Sequence, residues 1–148
     1  MATSVDARLS VILLVDPRGW VLLQERDEFA PRAANQWGMV GGHVEPGEDF
    51  EPAAYRELVE ETGIALPPGA LALWRDGEFT YPDGHRGHYA VYAARVDLTD
   101  ADIVVGEGRR IVFVEPSAVD DLDLAGSSRH FVPDFLVSQL YRDLVAAS

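Results

Sequence analysis

A chain of 148 residues, 47% of them apolar and 25% charged, has the length and balance of one soluble globular domain with a real core. It holds no cysteine, which excludes a disulfide framework, a thiolate zinc site and a cysteine nucleophile, and which favours a cytoplasmic setting. With 25 acidic against 12 basic side chains the net charge is −13, the wrong sign for a polymeric nucleic-acid partner.

The N-terminus lacks a basic region followed by a long apolar stretch, so neither a leader nor a membrane span is expected. Arg8 to Asp16 is a β-branched, apolar run that reads as a strand. The turn Asp16-Pro17-Arg18-Gly19 separates it from Trp20 to Arg26, and together they predict a hairpin. Gln36 to Val40 reads as a short strand entering a loop built on Gly41-Gly42 and Pro46-Gly47, where glycines permit close backbone approach and positive φ. A helix is predicted over Asp49 to Thr62. Asp49 is its N-cap, Glu51 sits in the favourable first turn, Pro52 is tolerated there, and Gly63 ends it.

Two further strands are predicted at Ala70 to Tyr81 and Gly87 to Val96, joined by Pro82-Asp83-Gly84. Arg109 to Val114 reads as another strand and Pro116 to Leu122 as a short helix. Phe131, Phe135, Leu136, Leu140, Leu144 and Val145 follow a helical period, which predicts one closing amphipathic helix with Pro133 in its first turn. Strands with separated helices make an α+β, layered αβα plan, one domain over residues 1–148.

The chemistry concentrates on the first helix. Glu57, Glu60 and Glu61 stand at i, i+3 and i+4, so their carboxylates share an arc of roughly 100° on one face. Ala54, Tyr55, Leu58 and Val59 fall on the packing side, and Arg56 borders the acidic arc. Like charges at this spacing repel by a few tenths of a kcal/mol, so the grouping costs stability without a positive partner. A hard divalent cation is the natural one: Mg²⁺ takes oxygen ligands and bridges carboxylates to substrate phosphates. A small phosphorylated substrate approaching so acidic a molecule also needs bound metal and a few local arginines.

Residues Gly42 to Ile64 read GHVEPGEDFEPAAYRELVEETGI. Gly42, Glu48, Arg56, Glu57, Glu60, Glu61 and Gly63, with apolar Leu58 and Ile64, stand in the register of the Nudix hydrolase signature. A chance match of this kind is expected on the order of once in 10⁷ sequences. The chain therefore resembles the Nudix hydrolases, and its VLLQER strand and small size resemble the MutT-like branch.

That resemblance implies a Nudix-type α/β/α sandwich with a mixed β-sheet between helices. It implies metal-dependent hydrolysis of a nucleoside diphosphate linked to another group, with a nucleoside triphosphate or nucleotide derivative as substrate. Mg²⁺ or Mn²⁺ would be held by Glu57, Glu60, Glu61 and the Gly41 carbonyl. Arg56 would orient neighbouring carboxylates including Glu48, which stays behind the ligands. Glu107, set between Gly106 and Gly108, and Glu60 are the two candidates for general base. Arg26, at the end of VLLQER, and Tyr81 are candidates for substrate contact, whereas Trp37 reads as core and the four histidines as structural or surface residues.

The tract before the glycines, Trp37-Gly38-Met39-Val40-Gly41-Gly42, lacks the proline common there in the family, which bears on loop rigidity and not on the carboxylates. Other readings stay open: a non-catalytic nucleotide-sensing module, a dinucleoside polyphosphate hydrolase (which Tyr81 resembles) or an ADP-ribose hydrolase. An isomerase of the same fold would want a cysteine. A homodimer is compatible with the sequence.

Overall fold

The computed structural model describes residues 7–147; residues 1–6 and 148, counted in the single domain on sequence grounds, lie outside the described residues. Seven strands and four helices follow in the order β1 (Ala7–Val15), β2 (Val21–Glu25), β3 (Trp37–Gly38), β4 (Val40–His43), α1 (Phe50–Thr62), β5 (Ala72–Thr80), β6 (Arg86–Arg95), β7 (Arg110–Val114), α2 (Pro116–Val119), α3 (Gly126–Leu136) and α4 (Gln139–Ala146). All strands join one mixed sheet. β1 and β6 run parallel, from Ala7↔Gly87 to Val15↔Arg95, while the remaining pairings are antiparallel.

Alternation along β1 shows why the molecule has three layers. Val11, Leu13 and Val15 face one cluster with Phe131, Val132 and Phe135 of α3. Ile12 and Leu14 face a second cluster with Ala54 and Leu58 of α1. Side chains of period two thus feed both faces, and each face buries one amphipathic helix. The predicted α/β/α sandwich is what forms. No helix among the described residues is long and apolar enough to cross a membrane.

The hairpin of β1 and β2 is real but short, with Val15↔Val21 as its paired position. Beyond that point the strands diverge and the segment 37–43 fills the gap. β3 pairs β2 at Gln24↔Gly38 and Glu25↔Trp37, and β4 pairs β1 from Leu9↔His43 to Ile12↔Val40. The single strand expected at Gln36 to Val40 is therefore two. At the switch between partners, Met39 donates its N–H to the Ser128 hydroxyl at 2.9 Å instead of to a strand.

Gly41 and Gly42, expected in a loop, are strand residues of β4. Gly41 has φ 144°, and a Cβ there would stand 2.2 Å from the Ser10 carbonyl oxygen. The glycine is needed for close strand approach, not for a turn.

The closing helix also differs from expectation. It is two helices, broken at Val137 and Ser138; the Ser138 hydroxyl caps α4 by accepting from the Tyr141 N–H at 3.2 Å. α3 starts at Gly126, so Pro133 lies in its interior and not in a first turn. The predicted α2 is one turn shorter, ending at Val119. Val59, assigned to the packing side of α1, is 47% exposed.

Candidate active site

α1 enters from Asp49, which has extended geometry at the N-cap position but makes no side-chain cap bond, and stops at Gly63. Gly63 adopts φ 74° and returns its N–H to the Val59 carbonyl at 2.9 Å, the left-handed C-terminal stop expected of glycine. Between these ends the helix carries Arg56, Glu57, Glu60 and Glu61 past β4 and the end of β2.

Arg56 is the organiser. Its Nε and Nη2 grip both oxygens of Glu48 at 2.8 Å each, Nη2 also donates to the His43 carbonyl at 3.0 Å, and Nη1 reaches Glu57 at 3.0 Å and Glu60 at 3.1 Å. A planar guanidinium fits this forked geometry, which a lysine could not reproduce. The Arg56 bond and the Glu45 backbone N–H push the Glu48 carboxyl down to about 2. Glu48 is thus an anion fixed by Arg56.

Glu57 is buried at 8% exposure, its carboxylate lying directly against Gly42. A Cβ at Gly42 would stand 2.7 Å from the carboxyl carbon, so any larger residue would have to displace the Glu57 carboxylate. Burial raises the Glu57 pKa although Arg56 opposes it. Glu61 is raised further, to about 7. Burial is the main cause, the Glu107 and Glu57 charges add to it, and its hydrogen bond from Gln24 pulls the other way. Glu60 is the exposed member of the three and holds to Arg56.

Glu107 reaches this group through main-chain docking of the loop before β7. The Val104 N–H donates to the Thr62 carbonyl at 2.9 Å, the Gly106 N–H to the Glu61 carbonyl at 2.8 Å, and the Arg109 N–H to the Glu25 carbonyl at 2.8 Å. A Cβ on Gly106 would lie 2.2 Å from the Glu60 carbonyl oxygen. Gly108 has φ 89° and sits against the Glu25 carbonyl and the Gln24 side chain. The flanking glycines therefore set Glu107, an exposed residue, beside Glu61.

The two substrate candidates are elsewhere occupied. Arg26, one residue beyond β2, donates from Nε to the Arg32 carbonyl at 2.9 Å and braces its own loop. Tyr81 stacks on His85 at 4.2 Å between ring centroids, packs edge-on against Phe79 at 4.9 Å, and bonds hydroxyl to hydroxyl with Tyr89. Both are engaged in the β2–β3 loop and the β5–β6 hairpin, and the structure does not bring them to the carboxylates. Trp37 is 7% exposed in the core under Arg110, as its reading required.

Sequence reasoning missed Gln24. Its Nε2 donates to the Glu61 carboxylate at 3.2 Å and to the Glu107 carbonyl at 2.8 Å, at 8% residue exposure. A polar residue closing the apolar run Val21-Leu22-Leu23 was the available signal. Also missed was Glu25, which gathers Arg110 at 2.8 Å and Arg109 at 3.2 Å on the rim.

These donors suit a hard cation: the carboxylates of Glu57 and Glu61 with raised pKa values, a third alongside, and a neutral amide as the hydrogen-bond donor to Glu61. Among the described residues, however, no three His or acidic side chains already stand in a ligating array. The expected convergence of Glu57, Glu60 and Glu61 is corrected to this extent. Arg56 draws Glu57 and Glu60 toward itself, and an ion would have to compete for them.

The family model for the NUDIX domain matches residues 6–135. The chain belongs to the Nudix hydrolases. It is 32% identical over 130 residues to a nucleoside triphosphatase, NudI, of Salmonella agona, covering 83% of this chain and 92% of that one. It is 40% identical over 83 residues to the bovine m7GpppN-mRNA hydrolase NUDT17, covering 53% of this chain but only 26% of that longer protein. Among solved structures, the MutT protein of Methanosarcina mazei superposes with a TM-score of 0.72 at 25% identity, over 89% of this Nudix chain and 96% of its own. As a Nudix hydrolase the protein cleaves pyrophosphate linkages, and the carboxylate face of α1 is the part of the fold that carries the family signature.

Proposed function

We propose that this Nudix hydrolase is a divalent-metal-dependent pyrophosphohydrolase of nucleoside triphosphates, with Mg²⁺ or Mn²⁺ held by Glu57, Glu60, Glu61 and the Gly41 carbonyl. The observation that carries it is the half-buried Glu61 with Glu57 and Glu107 as neighbours, its carboxyl pushed up to about 7 by burial and their negative charge. A carboxylate raised by burial and by neighbouring anions calls for a cation in the working state. When bound, the ion neutralises phosphoryl oxygens and lowers the pKa of a ligated water.

The remaining work falls to the chain. Arg56 holds Glu57 and Glu60 in orientation while Glu48 anchors the guanidinium. Glu107 lies beside Glu61, where it is placed to accept a proton from the attacking water. Glu60, bonded to Arg56, is less suited to that task. Arg109 and Arg110 at the rim lend positive charge to the approach of a triphosphate. Likeness to the triphosphatase of Salmonella supports a triphosphate as the first substrate to try.

The test is a panel of nucleoside triphosphates, nucleotide sugars, ADP-ribose and dinucleoside polyphosphates, incubated with Mg²⁺ or Mn²⁺, with the released phosphates identified. Release of pyrophosphate and a nucleoside monophosphate from a triphosphate is the expected result. Preference for ADP-ribose or a dinucleoside polyphosphate would reassign the substrate. Tight nucleotide binding without turnover would make the protein a sensor.

A further inference from the structure

Glu107 belongs to a loop and Glu61 to a helix, and one side chain from a third element joins them. The Gln24 amide nitrogen has two hydrogens, and both are committed: one to the Glu61 carboxylate at 3.2 Å, one to the Glu107 backbone carbonyl at 2.8 Å. Gln24 comes from β2, where it is fixed by pairing with Gly38 of β3 on one side and Ile111 of β7 on the other. Gly108 lets the loop close onto it, since a Cβ there would stand 3.2 Å from the Gln24 nitrogen. A buried amide tied on both sides by the sheet makes a rigid support for whatever it holds.

The chemistry of that support matters. Arg56 already neutralises one side of the acidic face. A second cation at position 24 would cancel the Glu61 charge and displace any metal from it. An amide donates to a carboxylate without cancelling its charge.

We propose that Gln24 is a positioning residue for the reaction, a neutral clamp that holds the Glu61 carboxylate and the Glu107 loop in one register so that both carboxylates address the same cation and its water. The proposal rests on the metal-dependent reading of the site. It is tested with Gln24→Met, which keeps length and volume but donates nothing, alone and combined with Glu107→Ala.

Mn²⁺ affinity, measured by titration calorimetry on the protein without substrate, is expected to weaken about 10-fold or more in Gln24→Met, and kcat to fall by a similar factor with KM little changed. Because the clamp acts partly through Glu107, the double variant is expected to fall well short of the product of the two single losses in kcat. Wild-type Mn²⁺ affinity in Gln24→Met, or kcat losses that multiply fully, would overturn it. If Gln24→Met melts much lower than the parent, Gln24→Asn, which keeps the amide one methylene short, serves for the same comparison. Absence of turnover in the parent would remove the functional reading alone, and the Mn²⁺ titration would still decide the clamp.

Discussion

Glu61 sits half-buried opposite Glu57 and Glu107, and its bond from Gln24 is neutral. Its charge therefore opposes folding while serving the chemistry, which separates two effects that a core mutation would mix. Glu61→Gln keeps the shape and removes the charge. It is expected to lower kcat at least 100-fold while leaving Tm unchanged or slightly higher. Steady-state kinetics beside a melting curve check this, and near-wild-type turnover would remove Glu61 from the site. Glu57, Glu60, Glu61 and Arg56 were legible in the sequence because helical spacing alone places them together. Gln24 was not, since its partners lie 37 and 83 positions away and only strand register brings them near.

At the scale of elements, the loop before β7 decides whether Glu107 takes part. After one 3-10 turn at Asp100–Asp102 it has no helix or strand of its own, and hydrogen bonds to the C-terminal end of α1 and to Glu25 hold it. Gly106 is the tight point, with the Glu60 carbonyl 2.2 Å from where a Cβ would be. Backbone must shift to admit even alanine. Gly106→Ala is expected to cost about 1–3 kcal/mol and, by moving Glu107 away from Glu61, to lower kcat about 10-fold or more. Urea unfolding and kinetics on that variant measure the two losses; full activity would mean that Glu107 need not be held. The sequence marked the glycines around Glu107 but could not say what they avoid.

The other elements follow the same division. α1 and the strands other than β3 and β4 were readable within a residue or two because periodicity is local. The break at Met39 was hidden because it depends on a hydroxyl 89 positions away, and the Val137–Ser138 break because the apolar period runs straight across a serine cap.

For the whole molecule, the carboxylates of the site couple metal binding, proton binding and stability. The Glu61 carboxyl titrates near 4.5 when free of the fold and near 7 within it. Between those values the folded protein holds more protons than the unfolded chain, so its stability falls as pH rises through that window. The net charge of −13 at neutral pH adds self-repulsion of the same sign. Glu48, held near 2, has the opposite linkage, and its stabilisation is lost as pH falls from 4.5, the lower edge of that window, toward 2.

A divalent ion reverses the trend, because it favours the ionised carboxylates and binds only the folded site. The metal-free protein is therefore expected to lose about 2–4 °C of Tm between pH 5 and pH 7.5, and saturating Mn²⁺ to restore more Tm at pH 7.5 than at pH 5. Chelation with EDTA should return the metal-free profile, and Glu61→Gln should flatten it. A Mn²⁺ shift of equal size at both pH values would mean that the ion does not compete with the Glu61 proton, and the site would have to be placed elsewhere on the molecule.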